Sequence, residues 1–343
     1  MEKITKSFLA LVLMLVSMVS AQAQAQEPQA PTAPKASALV TDGSVKQYLF
    51  NVGAKGFFIG ANDWGTRASF SAEKGYWVSM TANGETFTLV NEAKNGNSAD
   101  CQGVDQIWVD GKDRAGDGKW TITTNADGSF KLGNTNVAGF LSVLPSKNDT
   151  RLYMSDAEEA QSVWIAVSEE DYAAYFEAIA KYKAEYAAWI KGSAKAGDDI
   201  IAAAPATWEG QSGTYAGFGA ASERYNGGSI AAGDVMTQTI DGLKNGKYTV
   251  KLELAGSYTS GRGFECPTGD GLAVAFANDK EENLPIKDRG GVGQGEQDSY
   301  SFDVEVTDGT LKYGIKNLAA AGNWYVARVT SIVLTEVAPP AKD

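Results

Sequence analysis

Histidine is absent from all 343 residues of the chain. Catalysis by Ser-His-Asp or Cys-His arrangements, histidine general bases and histidine-based zinc sites are therefore excluded. Hydrolysis by a pair of carboxylates needs no histidine and is the one common hydrolytic chemistry left open. The composition favours a protein that binds a ligand over one that transforms it.

Cysteine is scarce as well, with Cys101 and Cys266 as the only two. Small exported domains that depend on disulfides carry many more. The two residues fall in different predicted domains, so the sequence favours two small buried thiols over a bridge between them.

Long apolar runs are missing after the first 20 residues. Two lysines precede an apolar run over residues 8–19, and two Ala-x-Ala sequences follow it. This run is shorter than the ~20 residues that span a bilayer. We therefore expect residues 1–23 to be a signal peptide that is cleaved after Ala23 or Ala25, and the mature chain to be secreted or periplasmic without membrane insertion.

Basic residues are in the minority, with 30 Lys and Arg against 42 Asp and Glu and a net charge of −12. Nucleic-acid binding relies on cations that displace counterions from the phosphates. Anionic membranes likewise attract basic segments. We therefore expect no nucleic-acid partner, whereas neutral ligands such as sugars are compatible with this charge.

The remaining chain of about 320 residues is too long for one typical core and long enough for two. Residues 24–43 are rich in Pro, Ala and Gln without an apolar period, which predicts a disordered linker. Short alternating strands and Gly/Asn/Asp turns fill residues 44–167 and residues 198–337. The predicted fold class is mainly β, with two β-domains joined by one helix over residues 168–192.

Residues 44–167 contain a threefold internal repeat. One series consists of short strands that begin with an aromatic residue and end with asparagine, at residues 48–51, 87–91 and 130–134. A second series is a strand that begins with tryptophan, at Trp77, Trp120 and Trp164. The spacings are 39 and 43 residues in the first series, and 43 and 44 in the second. Three small β-units that close on one another predict a β-trefoil, because a propeller needs at least four blades.

The opening of this region resembles a known family. Residues 48–60 (YLFNVGAKGFFIG) and residues 62–66 (NDWGT) resemble the first repeat of ricin-type lectin-like trefoils in bacterial secreted proteins. The Gln-x-Trp mark of that family occurs once at residues 106–108, and loosely at residues 161–164. The resemblance implies a lectin-like β-trefoil.

One turn in this region has the chemistry of a sugar site. Asn62, Asp63 and Trp64 join an aromatic ring, on which sugar C–H faces stack, to amide and carboxylate groups that bind hydroxyls. The alternative is a turn in which Trp64 folds back over its own repeat.

Residues 168–192 are predicted to form a helix. Ser168 is the expected N-cap, with Asp171 as its reciprocal partner, and Gly192 is the expected end. Aromatic and aliphatic side chains follow at steps of three and four residues. We expect this stripe to pack on both β-domains, with partner binding as the alternative.

The C-terminal region resembles a second family. Residues 223–227 (ERYNG), 235–250 (VMTQTIDGLKNGKYTV) and 322–326 (GNWYV) resemble a galactose-binding-like jelly roll, a fold common among carbohydrate-binding modules. The alternation of apolar residues over 248–254 independently suits a β-sandwich. The resemblance implies a sugar cleft at the loops of one end of the sandwich.

The candidate sugar contacts in those loops are Tyr215, Tyr225, Asn323 and Trp324. Their rings and the asparagine amide offer stacking and hydrogen bonding, although Trp324 and Tyr225 are also compatible with packing inside the fold. A structural calcium ion suits this class of jelly roll, and the acids that would contribute are Glu209, Asp234 and Glu253.

Three functions stay open. The first is non-catalytic binding of carbohydrate by one or both β-domains, which the loop chemistry favours. The second is a structural or adhesive surface protein that makes protein contacts. The third is a carboxylate-pair glycosidase, and it is the weakest because neither fold resembled is usually catalytic.

Overall fold

The computed structural model describes residues 26–61, 65–93, 96–111, 118–210, 232–258, 268–288, 297–318 and 324–339. The chain divides into two compact units. The first is Gln29–Tyr182, and the second consists mainly of Lys183–Asp343.

The described part of the first unit has twelve strands, all paired antiparallel. They are β1 (Gln47–Asn51), β2 (Gly56–Ala61), β3 (Arg67–Ser71), β4 (Trp77–Asn83), β5 (Thr86–Asn91), β6 (Asp100–Gly103), β7 (Gln106–Trp108), β8 (Trp120–Thr124), β9 (Phe130–Asn134), β10 (Val137–Ser142), β11 (Tyr153–Ser155) and β12 (Trp164–Val167).

Six of these strands close into a ring. β1 pairs with β4, β4 with β5, β5 with β8, β8 with β9, β9 with β12, and β12 again with β1. The other six form the hairpins β2–β3, β6–β7 and β10–β11. A closed six-stranded barrel with three hairpins is a β-trefoil, so the fold expected from the repeat is confirmed.

Three buried asparagines mark the equivalent positions of the repeats. Asn51, Asn91 and Asn134 each end a barrel strand and are at most 7% exposed. Each side-chain Oδ1 accepts a hydrogen bond of 2.8–3.0 Å from a backbone N–H two or three residues later. An unpaired buried polar group costs about 1–3 kcal/mol, so these bonds fix the turn that follows each strand.

In the first repeat, Tyr48 and Trp77 each stand one residue away from the barrel position that the aromatic spacing predicts for them. In the second repeat Phe87 stands four residues before the asparagine and pairs with Trp120. In the first repeat the same positions are Gln47 and Val78. Because neighbouring side chains of a strand point to opposite faces, Trp77 is not the equivalent of Trp120 and lies half exposed outside the barrel core.

Residues 34–43 are not the disordered linker that their composition predicts. This segment, the N-terminal arm, lies along the barrel. Ser37 and Gly43 each donate a backbone hydrogen bond of 2.8 Å to a barrel strand. Leu39 packs against the barrel core. Composition alone does not reveal such pairing, because the arm's polar groups are satisfied by strands far along the chain.

A chain that begins at Ser44 should be less stable than one that begins at Pro31, by about 2 kcal/mol. The shorter chain removes Leu39 from the core and leaves the buried Gln47 amide, which donates to Val40 O at 2.8 Å, without its acceptor. Urea unfolding of the two chains measures the difference. Equal midpoints would show that the arm is not part of the folded unit.

Helix α1 (Glu169–Ser193) begins and ends within one residue of the prediction. The Asp171 N–H donates to Ser168 Oγ at 3.0 Å, and Ser168 Oγ donates back to the Asp171 carboxylate at 2.8 Å. These bonds confirm Ser168 as the N-cap and Asp171 as its partner. The Ser168 backbone N–H, which a capping box directs to the side chain of residue 171, donates to Ser37 Oγ at 3.1 Å instead.

The two halves of α1 belong to different units. In the first unit, the Tyr172 ring stacks on Tyr48 with centroids 3.7 Å apart and lies 5.0 Å from the Phe57 ring. The shifted register of the first repeat turns Tyr48 outward, where it is free to make this contact. In the second unit, Ile190 near the end of α1 is part of the buried core.

The described part of the second unit has eight strands. They are β13 (Glu209–Gly210), β14 (Gly233–Ile240), β15 (Gly246–Tyr258), β16 (Gly269–Ala277), β17 (Lys280–Asp288), β18 (Asp298–Val306), β19 (Leu311–Asn317) and β20 (Trp324–Val337).

These strands form two layers around one core. One layer has the order β13-β14-β19-β16-β17, and the other has the order β18-β15-β20. The last residues of β15 pair parallel with β17 and join the layers at that edge. Along β15, Tyr248, Val250, Leu252 and Leu254 are buried in alternation and meet core residues of the other layer. The expected β-sandwich is confirmed.

Candidate functional site

The residues predicted to bind sugar lie outside the part of the chain that the structure describes. They are Asn62, Asp63 and Trp64 in the trefoil, and Tyr215, Tyr225 and Asn323 in the sandwich. Trp324 begins β20, but its side chain also lies outside the description. Their role in binding stays a prediction.

The described strand ends show where the predicted sandwich loops begin and finish. Gly233, the first residue of β14, pairs with Asn317, the last residue of β19. Trp324, the first residue of β20, pairs with Ser257 near the end of β15. These ends lie at one end of the sandwich, and the segments that connect them carry the predicted site.

A groove with a volume of about 490 Å³ lies on the trefoil where the first and third repeats meet. Its walls come from residues 53–54 after β1, Phe70 in β3, residues 143–145 and 148–150 after β10, and Gln161 before β12.

Backbone hydrogen bonds hold the walls of the groove. The Phe70 N–H of the first repeat donates to Thr150 O of the third repeat at 2.9 Å. Gln161 exchanges two backbone bonds of 3.0 and 3.1 Å with Val143. Walls fixed in this way present their side chains to a ligand with little further loss of conformational entropy.

Asp149 is the carboxylate of the groove. Its oxygens accept hydrogen bonds from Arg151 Nε and from the Tyr153 hydroxyl, both at 2.8 Å, and from the Arg151 N–H at 3.0 Å. Desolvation raises the pKa of Asp149, but these hydrogen bonds and the Arg151 charge outweigh it, and the pKa lies below its ordinary value. Asp149 is therefore ionised at neutral pH and acts as a hydrogen-bond acceptor.

The other polar side chains of the groove are the amides of Asn148 and Gln161 and the hydroxyl of Thr150, and its floor is apolar. Phe70 contributes a half-buried ring, with the buried Leu144 beside it. Asn148 is exposed and holds a left-handed backbone with φ of 50°, which asparagine adopts more readily than most residues. Together with Gln161 and Asp149, the groove offers a ring, two amides and a carboxylate.

The repeat relates this groove to the predicted site at residues 62–64. Residues 62–66 connect β2 to β3 in the first repeat, as residues 143–152 connect β10 to β11 in the third. Both connections contain an Asn-Asp pair, at residues 62–63 and residues 148–149. The sequence analysis singled out only the first pair, and the recurrence of Asn-Asp in the third repeat is a signal that would have pointed to the second.

The acids named for calcium make other contacts. Asp234 lies 2.6 Å from Lys312 Nζ, and Glu253 lies 3.5 Å from Arg328. Across the described residues, no group of three or more Cys, Asp or Glu side chains is close enough to hold a metal ion.

Cys101 is a free, buried thiol. Desolvation raises its pKa to about 12, so it stays protonated at neutral pH and is no nucleophile. Cys266 lies outside the described residues. Within the described part of the chain, no helix is long and apolar enough to cross a membrane.

No protein-family model matches the chain, and no curated protein matches it. Several solved structures match the chain at low similarity, and three of them are described. The Water-soluble Chlorophyll Protein from Brassica oleracea var. Botrytis with Chlorophyll-b is 11% identical, with a TM-score of 0.31 over 41% of this chain and 99% of that one. CBM35 from Cellvibrio japonicus Abf62 is 16% identical, with a TM-score of 0.21 over 40% of this chain and 94% of that one.

The third is the exo-beta-1,3-galactanase from Phanerochaete chrysosporium with beta-1,3-galactotriose, which is 11% identical with a TM-score of 0.18 over 85% of this chain and 84% of that one. Identities and TM-scores this low carry no argument about this chain. We therefore assign the fold of each unit from its strand pairing and argue its function from its side chains.

Proposed function

We propose that this chain binds neutral carbohydrate without transforming it, and that the trefoil groove is one binding site. The observation that supports this proposal is the set of groups in the groove: the Phe70 ring, the amides of Asn148 and Gln161, and the ionised Asp149. A sugar ring offers an apolar C–H face for the aromatic floor and hydroxyls for the amides and the carboxylate.

The affinity expected of such a groove is modest. Stacking of a ligand ring on an aromatic side chain is worth about 1–3 kcal/mol, and sugar C–H faces belong at the lower end. A few hydrogen bonds add about 1 kcal/mol each. The sum corresponds to a Kd in the millimolar to micromolar range. A second site at the sandwich loops would raise the apparent affinity for a multivalent surface.

The groups in the groove also favour binding over hydrolysis. Carboxylate-pair hydrolysis needs a protonated acid and a second carboxylate across the glycosidic bond. Asp149 is the only carboxylic acid among the described residues that line the groove. Its lowered pKa removes the proton that a general acid must donate.

We further propose that the chain acts outside the cytoplasm, after export by its N-terminal segment. The net charge of −12 suits a role on neutral glycans there, because the surface repels anionic polymers.

A glycan screen followed by isothermal titration of residues 26–343 tests the proposal. Asn148→Gly together with Gln161→Ala should weaken binding of the best glycan at least tenfold, because two amides are lost while the left-handed backbone is kept. Glu85→Ala, an exposed carboxylate in the β4–β5 turn, is the matched control and should bind as wild type does.

Two outcomes would contradict this assignment. If the double variant folds and binds as wild type does, the groove is not the site, and the predicted sandwich loops are tested next. If wild type binds no glycan at millimolar concentration, sugar binding is wrong, and a structural or adhesive role takes its place.

The affinity should be nearly independent of pH between about pH 5 and pH 8. The chain has no histidine, and the depressed pKa of Asp149 keeps its carboxylate ionised throughout that window. Binding should be lost only as the pH falls through the pKa of folded Asp149. Titration at four pH values measures this, and a loss centred near pH 6 would show that another group controls binding.

A further inference from the structure

A second polar surface lies beside the groove. We call it the rim, and it consists of Arg67 in β3, Asp105 in the β6–β7 turn, Trp108 in β7, and Arg151 just before β11. The Tyr153 ring is buried beneath Arg151, 5.7 Å from its guanidinium carbon. The rim combines charged groups with the Trp108 ring, as the groove combines polar groups with the Phe70 ring.

Backbone contacts fix the rim next to the groove. Arg151 pairs with Ser69 of β3, one residue before the Phe70 that forms the groove floor. The Met154 N–H donates to Val104 O at 2.8 Å, which holds the β6–β7 turn against β11. The groove and the rim are therefore continuous across the junction of the hairpins.

Two charged side chains of the rim are open to a ligand. The Asp105 side chain is 54% exposed, and the Arg151 side chain is 38% exposed. Arg67 is only 12% exposed, lies 3.7 Å from Asp105 and sits over the Trp108 ring at 4.7 Å. Arg67 thus positions the carboxylate and the ring rather than meeting the ligand itself.

The rim and the groove carry charges of both signs. Two guanidinium groups, Arg67 and Arg151, stand beside two carboxylates, Asp105 and Asp149, and Lys147 Nζ lies 5.9 Å from the Tyr153 ring that Arg151 covers. Donors and acceptors held side by side in this way suit a ligand with many hydroxyls. The Asp149–Arg151 pair spans both surfaces, because its carboxylate lines the groove and its guanidinium belongs to the rim.

We infer that the groove and the rim bind successive sugar residues of one oligosaccharide, with the first residue against Phe70 and the next over Arg151 and Asp105. This inference rests on the proposed function and specifies its ligand class. A monosaccharide held in the groove does not extend across the hairpin junction to Asp105, whereas a longer chain gains those contacts.

Titrations with sugars of different length test the inference. The probes are glucose, galactose, mannose and N-acetylglucosamine, each compared with its β-linked disaccharide and tetrasaccharide. The tetrasaccharide of the sugar that binds should bind at least tenfold more tightly than the monosaccharide. Asp105→Ala should weaken the tetrasaccharide about fivefold, as expected for one lost hydrogen bond, and leave the monosaccharide unchanged.

Two further variants separate the rim from the groove. Gln161→Ala should weaken the monosaccharide and the tetrasaccharide alike, and Glu85→Ala should change neither. Asp105 is itself 54% exposed and its ion pair with Arg67 is long, at 3.7 Å, so its replacement should leave folding intact. Equal affinity for all chain lengths, or an Asp105→Ala variant that binds the tetrasaccharide as wild type does, would overturn the inference while sugar binding stands. Absence of binding by every probe would overturn both.

Discussion

Replacing Trp164 by alanine should lower the free energy of unfolding of the trefoil by about 3–5 kcal/mol. The Trp164 side chain is completely buried. Its Nε1 donates to Leu141 O at 2.8 Å. The substitution removes the ring from the barrel core, leaves a cavity and strips a buried carbonyl of its donor. Urea unfolding followed by circular dichroism measures the loss.

Trp77 is the control for Trp164. The spacing of the sequence repeat makes the two residues counterparts, but the structure places Trp77 outside the barrel core. Its ring is half exposed, and Lys46 Nζ lies 4.2 Å from its centroid. Replacing Trp77 by alanine should therefore cost only about 1–2 kcal/mol, because the cation–π contact is worth about 0.5–1 kcal/mol and the partly buried ring loses some apolar contact but leaves no cavity in the barrel core. Equal losses at the two positions would contradict the one-residue shift of the first repeat.

Replacing Gln238 by leucine should destabilise the sandwich by about 2–4 kcal/mol. Gln238 is completely buried. Its Oε1 accepts from the Tyr313 hydroxyl at 2.7 Å, and its Nε2 donates to Pro205 O at 2.8 Å. Leucine has nearly the same volume but leaves both partners unsatisfied, and each such group costs about 1–3 kcal/mol.

The neighbouring Thr239 provides the comparison for Gln238. It is half buried on the opposite face of β14, so Thr239→Ala should change the free energy of unfolding by no more than about 0.5 kcal/mol. Thermal and urea unfolding of both variants measures the difference. A Gln238→Leu variant as stable as wild type would show that these hydrogen bonds do not hold residues 205–207 to the sandwich.

The fold class was predictable because it follows from residue spacings that recur along the chain, and a recurring spacing does not depend on the assignment of any single residue. The threefold spacing indicates closure of three units, and the alternation over residues 248–254 indicates a half-buried strand. The exact register of the first repeat was not predictable, because Tyr48 and Trp77 each stand one residue from the position that the barrel uses. An aromatic residue on either face of a strand looks the same in a spacing count.

The N-terminal arm was missed for a different reason. It belongs to residues 24–43, whose Pro, Ala and Gln content is typical of disordered linkers and in which Leu39 and Val40 are the only aliphatic side chains larger than alanine or proline. Its order comes from backbone bonds to β4 and β12. Amino-acid composition does not indicate strand pairing between residues that lie so far apart in the sequence.

The groove could not be predicted from the sequence for a similar reason. Phe70 and Gln161 are far apart in sequence and meet only because the first and third repeats close on each other. The sequence analysis identified the Asn-Asp pair between β2 and β3, and the same pair recurs in the sequence between β10 and β11 at Asn148 and Asp149. What the sequence did not show was which repeat junction opens into a groove.

The most direct test of sugar binding at the groove is a two-dimensional ¹H–¹⁵N NMR titration of labelled residues 26–343 with the best glycan of the screen. We expect the largest chemical-shift changes at the backbone amides of Gly53, Ala54, Asn148 and Thr150, with the trefoil outside the groove and the rim little affected. Saturating changes confined to amides of the sandwich, with these four unmoved, would contradict the account.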